Sequence, residues 1–175
     1  MDLIVLSLGS NLGDRAQHLR DAIAALKDSV LVVSGVYETP PWGDADQPAY
    51  LNAVALVGQD GRTVEEWLAV AQDLEARARR ERDPRRRFGP RSLDVDLVCA
   101  TTDQGEPIRR DTADLTLPHP RAHLRAFVLR PWLEIQPYAH LPGHGWVYDL
   151  IREEPVASDV LTMTARPEIS LESEG

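Results

Sequence analysis

The stretch RRRFGPRSLDVDLV, residues 85 to 98, places four arginines directly ahead of two aspartates. On a β-strand, residues i and i+2 point to the same face, so Asp94 and Asp96 would present their carboxylates side by side. Two carboxylates placed in this way can hold Mg²⁺, which proteins commonly bind through one or two carboxylates together with substrate phosphates. Guanidinium groups suit bidentate contacts with phosphate. The combination predicts a site that holds a polyphosphate together with metal ions.

The bare D-x-D pattern is weak evidence by itself, because a chain with 16 aspartates is expected to contain such a pair by chance. A second pair, Asp44 and Asp46, lies in a segment rich in Pro and Gly, where a solvated turn is the better interpretation. The residues around Asp94 and Asp96 are apolar, which predicts a mostly buried strand. Buried carboxylates need a cation or a hydrogen-bond donor, so a metal-binding role is favoured for this pair.

The charge of the chain is unevenly distributed. The formal net charge of −9 disfavours general affinity for nucleic acid or anionic membranes, because their phosphates are repelled at long range. Residues 77 to 91 nevertheless hold eight arginines against two acidic residues, a local charge of +6. One small basic segment in an acidic chain predicts a compact anionic partner. Its like charges also predict that segment 76 to 91 is mobile alone and closes over a bound triphosphate.

Length and composition limit the classes of protein to which the chain can belong. A chain of 175 residues with 43% hydrophobic content can form one well-buried domain, which we expect over residues 1–153, followed by an acidic tail, 154–175, that is loosely held. The first residues lack a basic leader, and no run approaches the roughly 18 apolar residues of a membrane span. The single cysteine, Cys99, cannot form an internal disulfide, so a reducing cytoplasm is the expected location.

The elements that must position the candidate residues follow from hydrophobic periodicity. Strands are predicted at 3–8, 30–37, 51–57 and 92–100, and helices are predicted after Asp14 and over 63–80, where Thr63 and Glu66 form a capping box. The order βαββαβ is that of the ferredoxin-like fold in the α+β class, an antiparallel sheet with both helices on one face. A further helix over 121–135, broken or kinked at Pro131, forms a C-terminal helical extension.

Glycine-rich nucleotide-binding fingerprints do not occur in the sequence: no Gly is followed by Lys and then Ser or Thr, and there is no G-x-G-x-x-G. A bound nucleotide must therefore be held by other groups. The motif GSNLGD, residues 9–14, could offer backbone amides to phosphate at a helix start. An ordinary strand-to-helix turn is the more common meaning of such a motif.

Six motifs, in order along the chain, resemble those of the 6-hydroxymethyl-7,8-dihydropterin pyrophosphokinase family. They are GSNLGD (9–14), YETPPWG (37–43), DQPAYLNAV (46–54), RFGPRSLDVDL (87–97), LPHPR (117–121) and RAFVL (125–129). The fourth is highly specific, and the resemblance covers roughly residues 3 to 138. It implies a folate-pathway enzyme that transfers the β,γ-diphosphate of ATP to the hydroxymethyl group of the dihydropterin and releases AMP.

The resemblance also implies roles for the charged residues. Asp94 and Asp96 would hold two Mg²⁺ ions that bridge the triphosphate, and Asp96 could accept the hydroxyl proton. Arg91 matches one catalytic arginine. The other lies in a family pattern G-R-x-R that appears here as R-R-E-R, so Arg80 is favoured while Arg79 and Arg82 remain open. The ATP contacts implied are Gln72, Glu75, Arg82, Arg87, Arg91, His119, Arg125 and Phe88, the last standing where the family usually has Trp.

For the pterin, the resemblance implies that Tyr50 and Phe127 sandwich the ring. Asn52 would pair with the amide edge of the pterin, because Asn offers both a donor and an acceptor. The other implied pterin contacts are Thr39, Pro40, Trp42 and Asp94. Without the resemblance, Phe127 would be interpreted as a core residue and Asn52 as a turn residue before a strand.

Two other functions are open to these residues. A D-x-D nucleotidyl- or glycosyltransferase would also need Mg²⁺ but would not bind pterin. A ferredoxin-like RNA-binding module would show exposed aromatics on its sheet and a basic face, which the charge of −9 disfavours. The favoured partners are therefore ATP and the dihydropterin, bound by a monomer, with no nucleic acid and no membrane.

Overall fold

The computed structural model describes residues 1–58, 61–78 and 92–172. The strands are β1 (Leu3–Ser10), β2 (Val30–Val33), β3 (Tyr37–Thr39), β4 (Tyr50–Gly58), β5 (Asp94–Thr101), β6 (Arg110–Asp111), β7 (Thr116–Leu117), β8 (His140–Leu141), β9 (Gly145–Trp146) and β10 (Thr164–Ala165). The helices are α1 (Arg15–Ala25), α2 (Val64–Arg77), α3 (Ala126–Ile135), α4 (Val147–Leu150) and α5 (Val156–Val160), with a 3₁₀ turn at Ala122–Leu124.

One antiparallel sheet organises the fold. Its strand order is β10-β3-β4-β1-β5, and β2 pairs with the far end of β4 beside β3. The central strand β1 therefore pairs with β4 on one side and with β5 on the other. Two short hairpins, β6-β7 and β8-β9, lie outside this sheet. The predicted ferredoxin-like α+β fold is confirmed.

The first two helices pack on one face of the sheet. Leu19 and Ile23 of α1 and Trp67 of α2 join a core with alternate residues of the strands, among them Leu6 and Leu8. The capping box predicted for α2 is present: the Glu66 backbone N–H donates to Thr63 Oγ1 at 3.1 Å. Burying an apolar stripe of each helix against one sheet face is what makes this layer stable.

The opposite face of the sheet is covered only in part. Leu129 and Trp132 of α3 pack against Val5, Leu56 and Cys99, which lie at the end of the sheet away from Ser10. Toward Ser10, the same strands carry polar residues on this face, which line a pocket and take no part in the apolar cluster. One half of the face is therefore a hydrophobic core, and the other half is free to form a site.

The predicted strand over 30–37 is wrong in its continuity, because the structure divides it into β2 and β3. Ser34 lies between them, and its backbone N–H donates to the Val54 carbonyl at 2.9 Å. Its hydroxyl accepts the Val54 N–H, also at 2.9 Å, so a side-chain oxygen replaces a backbone carbonyl in the ladder. Hydroxyl side chains compete with the backbone for such bonds, and this competition ends β2.

Of the predicted break or kink at Pro131, the break is wrong, and the kink stays a prediction. α3 continues through Pro131, and the interruption lies at Arg125, which is extended (φ −112°, ψ 98°) between the 3₁₀ turn and α3. The extended residue turns the chain so that α3 can start on the sheet face. The predicted continuation of α2 to Arg80 lies outside the described residues, which show the helix to Arg77.

The segment 154–172, expected to be loosely held, is packed against the rest of the chain. Strand β10 pairs with β3, placing Thr164 opposite Glu38. Met163 is buried against the α3 core, and Leu171 is buried in the core under α1 and α2. These apolar residues are spaced singly, so they form no periodic pattern that sequence analysis could detect. No helix in the described part of the chain is long and apolar enough to cross a membrane.

Truncating the anchor of this segment tests its packing. Leu171→Ala should lower the free energy of unfolding by about 2 kcal/mol or more, because a buried Leu→Ala change removes contacts and leaves a cavity. The matched control is Leu161→Ala in the same segment, where Leu161 is 86% exposed and the change should have little effect. Urea unfolding followed by tryptophan fluorescence measures both. Equal stability of the two variants would show that the segment is loosely held after all.

Candidate active site

A pocket lies on the sheet face beside the start of α3. About 520 Å³ of space lies within and in front of it, a volume that includes open solvent at its mouth. The residues lining it are Ser7, Gly9, Thr39, Pro40, Trp42, Tyr50, Asn52, Asp94, Asp96, Arg125 and Phe127. All seven residues predicted to contact a pterin are among them, together with the second aspartate of the predicted metal pair. Ser7 and Gly9 are the two that sequence analysis missed.

Strand register places the polar groups of the pocket together. Gly9 of β1 lies opposite Asn52 of β4 on one side and opposite Asp94 of β5 on the other. Two residues earlier, Ser7 lies opposite Asp96. Because alternate residues share a face, Ser7, Gly9 and the two aspartates all point toward the pocket. The side-by-side arrangement predicted for Asp94 and Asp96 follows from their places on β5.

Gly9 makes room for two neighbouring side chains. A Cβ at this position would lie 2.7 Å from Asn52 Oδ1 and 3.2 Å from Tyr50 Cδ1, closer than ordinary packing permits. A glycine inside a strand often marks such a close approach. Because this glycine of the GSN motif has no side chain, Asn52 and Tyr50 can lie close to the strand at the edge of the pocket.

Asn52 is fixed in orientation by a buried hydrogen bond. Its Nδ2 donates to Thr39 Oγ1 at 2.6 Å, and both residues are buried. Asn52 lies within β4, so its interpretation as a turn residue is wrong. Phe127 is half-buried: it packs against the α3 core and also lines the pocket, so the core and site interpretations both describe it.

The loop 40–49, which carries Trp42, is anchored by the residues that follow β1. Asn11 is buried, and its Nδ2 donates to Gln47 Oε1 at 2.8 Å and to the Pro48 carbonyl at 2.9 Å. Within the loop, the Asp46 N–H donates to Asp44 Oδ1 at 3.1 Å, which confirms the predicted turn for this second aspartate pair. The Asn of the GSN motif thus holds the wall of the pocket.

Arg125 brings a positive charge to the carboxylates. The residue is only 8% exposed, and its Nη1 lies 3.6 Å from Asp96 Oδ2. Its guanidinium carbon is 4.8 Å from the centre of the Trp42 ring and 5.5 Å from that of Phe127, both within cation–π range. A planar cation therefore lies against the aromatic walls, beside the acidic pair.

His119 is partly buried and is a neutral imidazole at neutral pH. Burial, together with the charges of Arg125 and Arg121, lowers the pKa of His119 to about 4, although Asp94 opposes the shift. The Arg121 backbone N–H donates to Nδ1 at 3.1 Å, which leaves the proton of the neutral ring on Nε2. His119 can therefore donate one hydrogen bond near Asp94 without adding charge.

The other predicted ATP contacts do not line the pocket. Glu75 is buried on α2, where its carboxylate accepts the Val95 N–H at 3.5 Å on the helix side of the sheet. Gln72 is exposed on the same helix. Six predicted residues, Arg79, Arg80, Arg82, Arg87, Phe88 and Arg91, lie outside the described residues, as does most of the segment predicted to close over the triphosphate.

The acidic pair fits a metal ion that is shared with a phosphate. Within residues 1–58, 61–78 and 92–172, no three His, Cys, Asp or Glu side chains form a group able to hold a metal by themselves. Two carboxylates on one strand face remain as oxygen donors in the pocket. Mg²⁺ keeps several water or phosphate ligands and is commonly bound by one or two carboxylates, so this donor set suits it.

Fold and pocket together define a class of protein: an α+β domain with a ferredoxin-like sheet, in which an aromatic pocket adjoins a pair of carboxylates. Residues 5–137 match the family described as 7,8-dihydro-6-hydroxymethylpterin-pyrophosphokinase (HPPK). The chain belongs to this family, as its motifs predicted. It is a pyrophosphokinase of folate biosynthesis.

Relatives of known name agree with this assignment. The chain is 44% identical over 181 residues to the 2-amino-4-hydroxy-6-hydroxymethyldihydropteridine pyrophosphokinase of Mycobacterium tuberculosis H37Rv, an alignment covering 99% of this chain and 95% of that protein. It is 48% identical over 151 residues to the Mycobacterium leprae enzyme, covering 83% and 78%. The Bacillus subtilis enzyme is 37% identical over 138 residues, covering 77% and 78%.

Solved structures share the fold at low sequence identity. The Plasmodium falciparum HPPK-DHPS crystal structure with SDX-DHP superposes with a TM-score of 0.64 and 12% identity, covering 94% of this chain. The match covers 47% of that longer chain. At this identity the likeness concerns the fold alone.

The protonation of His119 can be measured directly. NMR titration should give His119 a midpoint near pH 4, and Arg125→Gln should raise it by removing a nearby positive charge. Arg130→Gln on the same helix, where Arg130 faces Tyr37, should leave the midpoint unchanged. Because the folded-state pKa lies below the unfolded value, the unfolded chain binds the extra proton, and His119 should lower stability as pH falls from 6.5 to about 4. A wild-type midpoint near 6.5 would contradict the buried, neutral assignment.

Proposed function

We propose that this chain transfers the β,γ-diphosphate of ATP to the hydroxymethyl group of 6-hydroxymethyl-7,8-dihydropterin and releases AMP. The observation that carries this proposal is the single pocket that joins aromatic rings, a fixed amide and two carboxylates. These groups come from three separate elements, β4, β5 and α3, and from the loop 40–49. An assembly of this kind supports a flat acceptor bound beside a metal-bound polyphosphate.

In this proposal the pterin lies between Tyr50 and Phe127. Asn52, held by Thr39, supplies a donor and an acceptor to the amide edge of the ring. The backbone of Thr39, Pro40 and Trp42 supplies further hydrogen bonds. The hydroxymethyl group of the bound pterin would then point toward Asp94 and Asp96, which line the same pocket.

The acidic pair would hold Mg²⁺, and two ions shared with the triphosphate are the proposed number. Bound there, Mg²⁺ would neutralise charge on the phosphate oxygens. Arg125 already lies against Asp96, so it is placed to contact the same phosphates once they enter the pocket. His119 would donate from Nε2 to the nucleotide, and Gln72 and Glu75 remain proposed ATP contacts.

Transfer requires the hydroxyl of the pterin in line with AMP at the β-phosphorus. Phosphoryl transfer passes through a loose transition state, so positioning and positive charge matter more than a strong base. We propose Arg91 and Arg80 as the catalytic arginines, with Arg79 or Arg82 as the alternatives to Arg80. Asp96 would accept the hydroxyl proton late in the reaction.

We propose further that the enzyme acts as a monomer in the cytoplasm. The only cysteine, Cys99, is buried and its pKa is raised to about 12 by burial, which suits a protein that forms no disulfide. The RNA-binding alternative is disfavoured, because α3 covers half of the sheet face that such a module would use for bases.

Product analysis tests the function. The chain incubated with ATP, Mg²⁺ and 6-hydroxymethyl-7,8-dihydropterin should form AMP and the pterin diphosphate. Asp94→Asn and Asp96→Asn should each reduce the rate by at least about 10²-fold, because each removes a charged oxygen ligand. Asp149→Asn, an exposed aspartate on α4, is the control and should retain activity. Formation of ADP, or activity without the pterin, would contradict the proposal.

Gly9→Ala should weaken pterin binding selectively. The added methyl group would push Asn52 Oδ1 and the Tyr50 ring from their positions, since both lie within 3.2 Å of its Cβ. We expect the pterin Kd, measured by pterin fluorescence, to rise by roughly tenfold or more, while the ATP KM stays close to wild type. The melting temperature should also fall, because the methyl group overpacks a buried site. An unchanged Kd would mean that neither side chain contacts the ring.

A further inference from the structure

Glu38 joins three elements that are distant in the sequence. It lies on β3 directly before Thr39, and its Oε2 forms ion pairs with two arginines. Arg15 Nη2 from the start of α1 lies 3.2 Å away, and Arg166 Nη1 from the residue after β10 lies 2.7 Å away. Arg166 lies beyond residues 5–137, the part of the chain that matches the family.

One of these arginines, Arg15, contacts both sides of the loop that carries Trp42. Arg15 Nη1 donates to the Ala49 carbonyl at 3.0 Å, directly before Tyr50. Its two nitrogens therefore connect Glu38, before the loop, with Ala49, at its end. The backbone on both sides of the loop, and with it Thr39 and Tyr50, is held by one guanidinium.

The C-terminal segment completes this arrangement. Strand β10 pairs with β3, and the Arg166 backbone N–H extends the ladder by donating to the Val36 carbonyl at 2.8 Å. β3 has only three residues, and β10 changes it from an edge strand into an internal one. Arg166 also pairs with Glu168, which holds its side chain from the other side.

We propose that Arg166 is a positioning residue for pterin recognition, acting through Glu38 on Thr39 and the adjoining loop. The chain of contacts is continuous, because Arg166 fixes Glu38, β3 carries Thr39, and the Thr39 hydroxyl orients the Asn52 amide. The carboxylates and Arg125 lie on other elements, β5 and the start of α3. The inference rests on the proposed function, since it assigns a role within the same pterin site.

The side chains of Arg166 and Glu38 are each about one-third exposed, at 32% and 34%. Ion pairs with this exposure contribute little to global stability. A variant at Arg166 should therefore fold normally, so an effect on substrate binding can be separated from an effect on folding. The expected change concerns one substrate, because among the described residues the contacts of Arg166 lead through Glu38 to the pterin side of the pocket.

Steady-state kinetics with Arg166→Gln provides the test. We expect the pterin KM to rise roughly three- to tenfold, with kcat, the ATP KM and the melting temperature close to wild type. Glu38→Gln should raise the pterin KM at least as much, because it also weakens the ion pair with Arg15, and the double variant should be no worse than Glu38→Gln alone, because Arg166 acts through Glu38. Arg166→Lys should recover part of the loss. Arg152→Gln, an exposed C-terminal arginine that contacts Tyr148, is the matched control.

Each result separates the claims. An unchanged pterin KM in both Arg166→Gln and Glu38→Gln would overturn the inference and leave the proposed function intact. Equal rises of the ATP and pterin KM with a lowered melting temperature would also overturn it, since Arg166 would then be structural. If wild-type protein fails to bind the pterin at all, the proposed function falls, and this inference falls with it.

Discussion

The pairing of β1 with strands on both sides is the constraint on which the rest of the structure depends. One register sets Gly9 between Asn52 and Asp94 and aligns Ser7 with Asp96. The same strand turns Leu6 and Leu8 toward the helices, so a shift of one residue would bury the polar groups and expose the apolar ones. The hydrophobic core under α1 and α2 thus sets the strand register that brings the pocket residues together.

The other face of the sheet has two parts, which meet at the start of α3: an apolar part that packs against the helix and a polar part that lines the pocket. The apolar half is closed by Leu129 and Trp132, which leaves the polar half beside the first residues of that helix. Arg125 and Phe127 therefore reach the pocket because the helix begins there. Arg125 places a buried cation against Asp96, while His119 stays neutral. Among the described residues that line the pocket, the charged groups are therefore two carboxylates and one guanidinium.

Sequence analysis predicted what local signals encode. Strand alternation placed Asp94 and Asp96 on one face, and the capping box located the start of α2. It missed Gly9, Asn11 and the break at Ser34, because each depends on a neighbour from another element. The available signal for Gly9 was its place at the start of the GSNLGD motif, directly after the apolar run 3–8. The C-terminal segment was misjudged for the same reason, since single buried residues such as Leu171 show no period along the chain.

Strand β3 is held from a second side by α3, which explains how so short a strand can form a wall. Glu134 accepts the Gly35 N–H at 2.6 Å and the Tyr37 hydroxyl at 3.1 Å. Burial, together with Glu134, raises the pKa of Tyr37, so the hydroxyl stays protonated and continues to donate. The helix that carries Phe127 in its first turn therefore also contacts β3 and the residues before it through its last turn. Because one helix makes both contacts, its length sets the distance between Phe127 and the side of the pocket that Thr39 lines. The ion pairs at Glu38 hold the same strand at its other contacts.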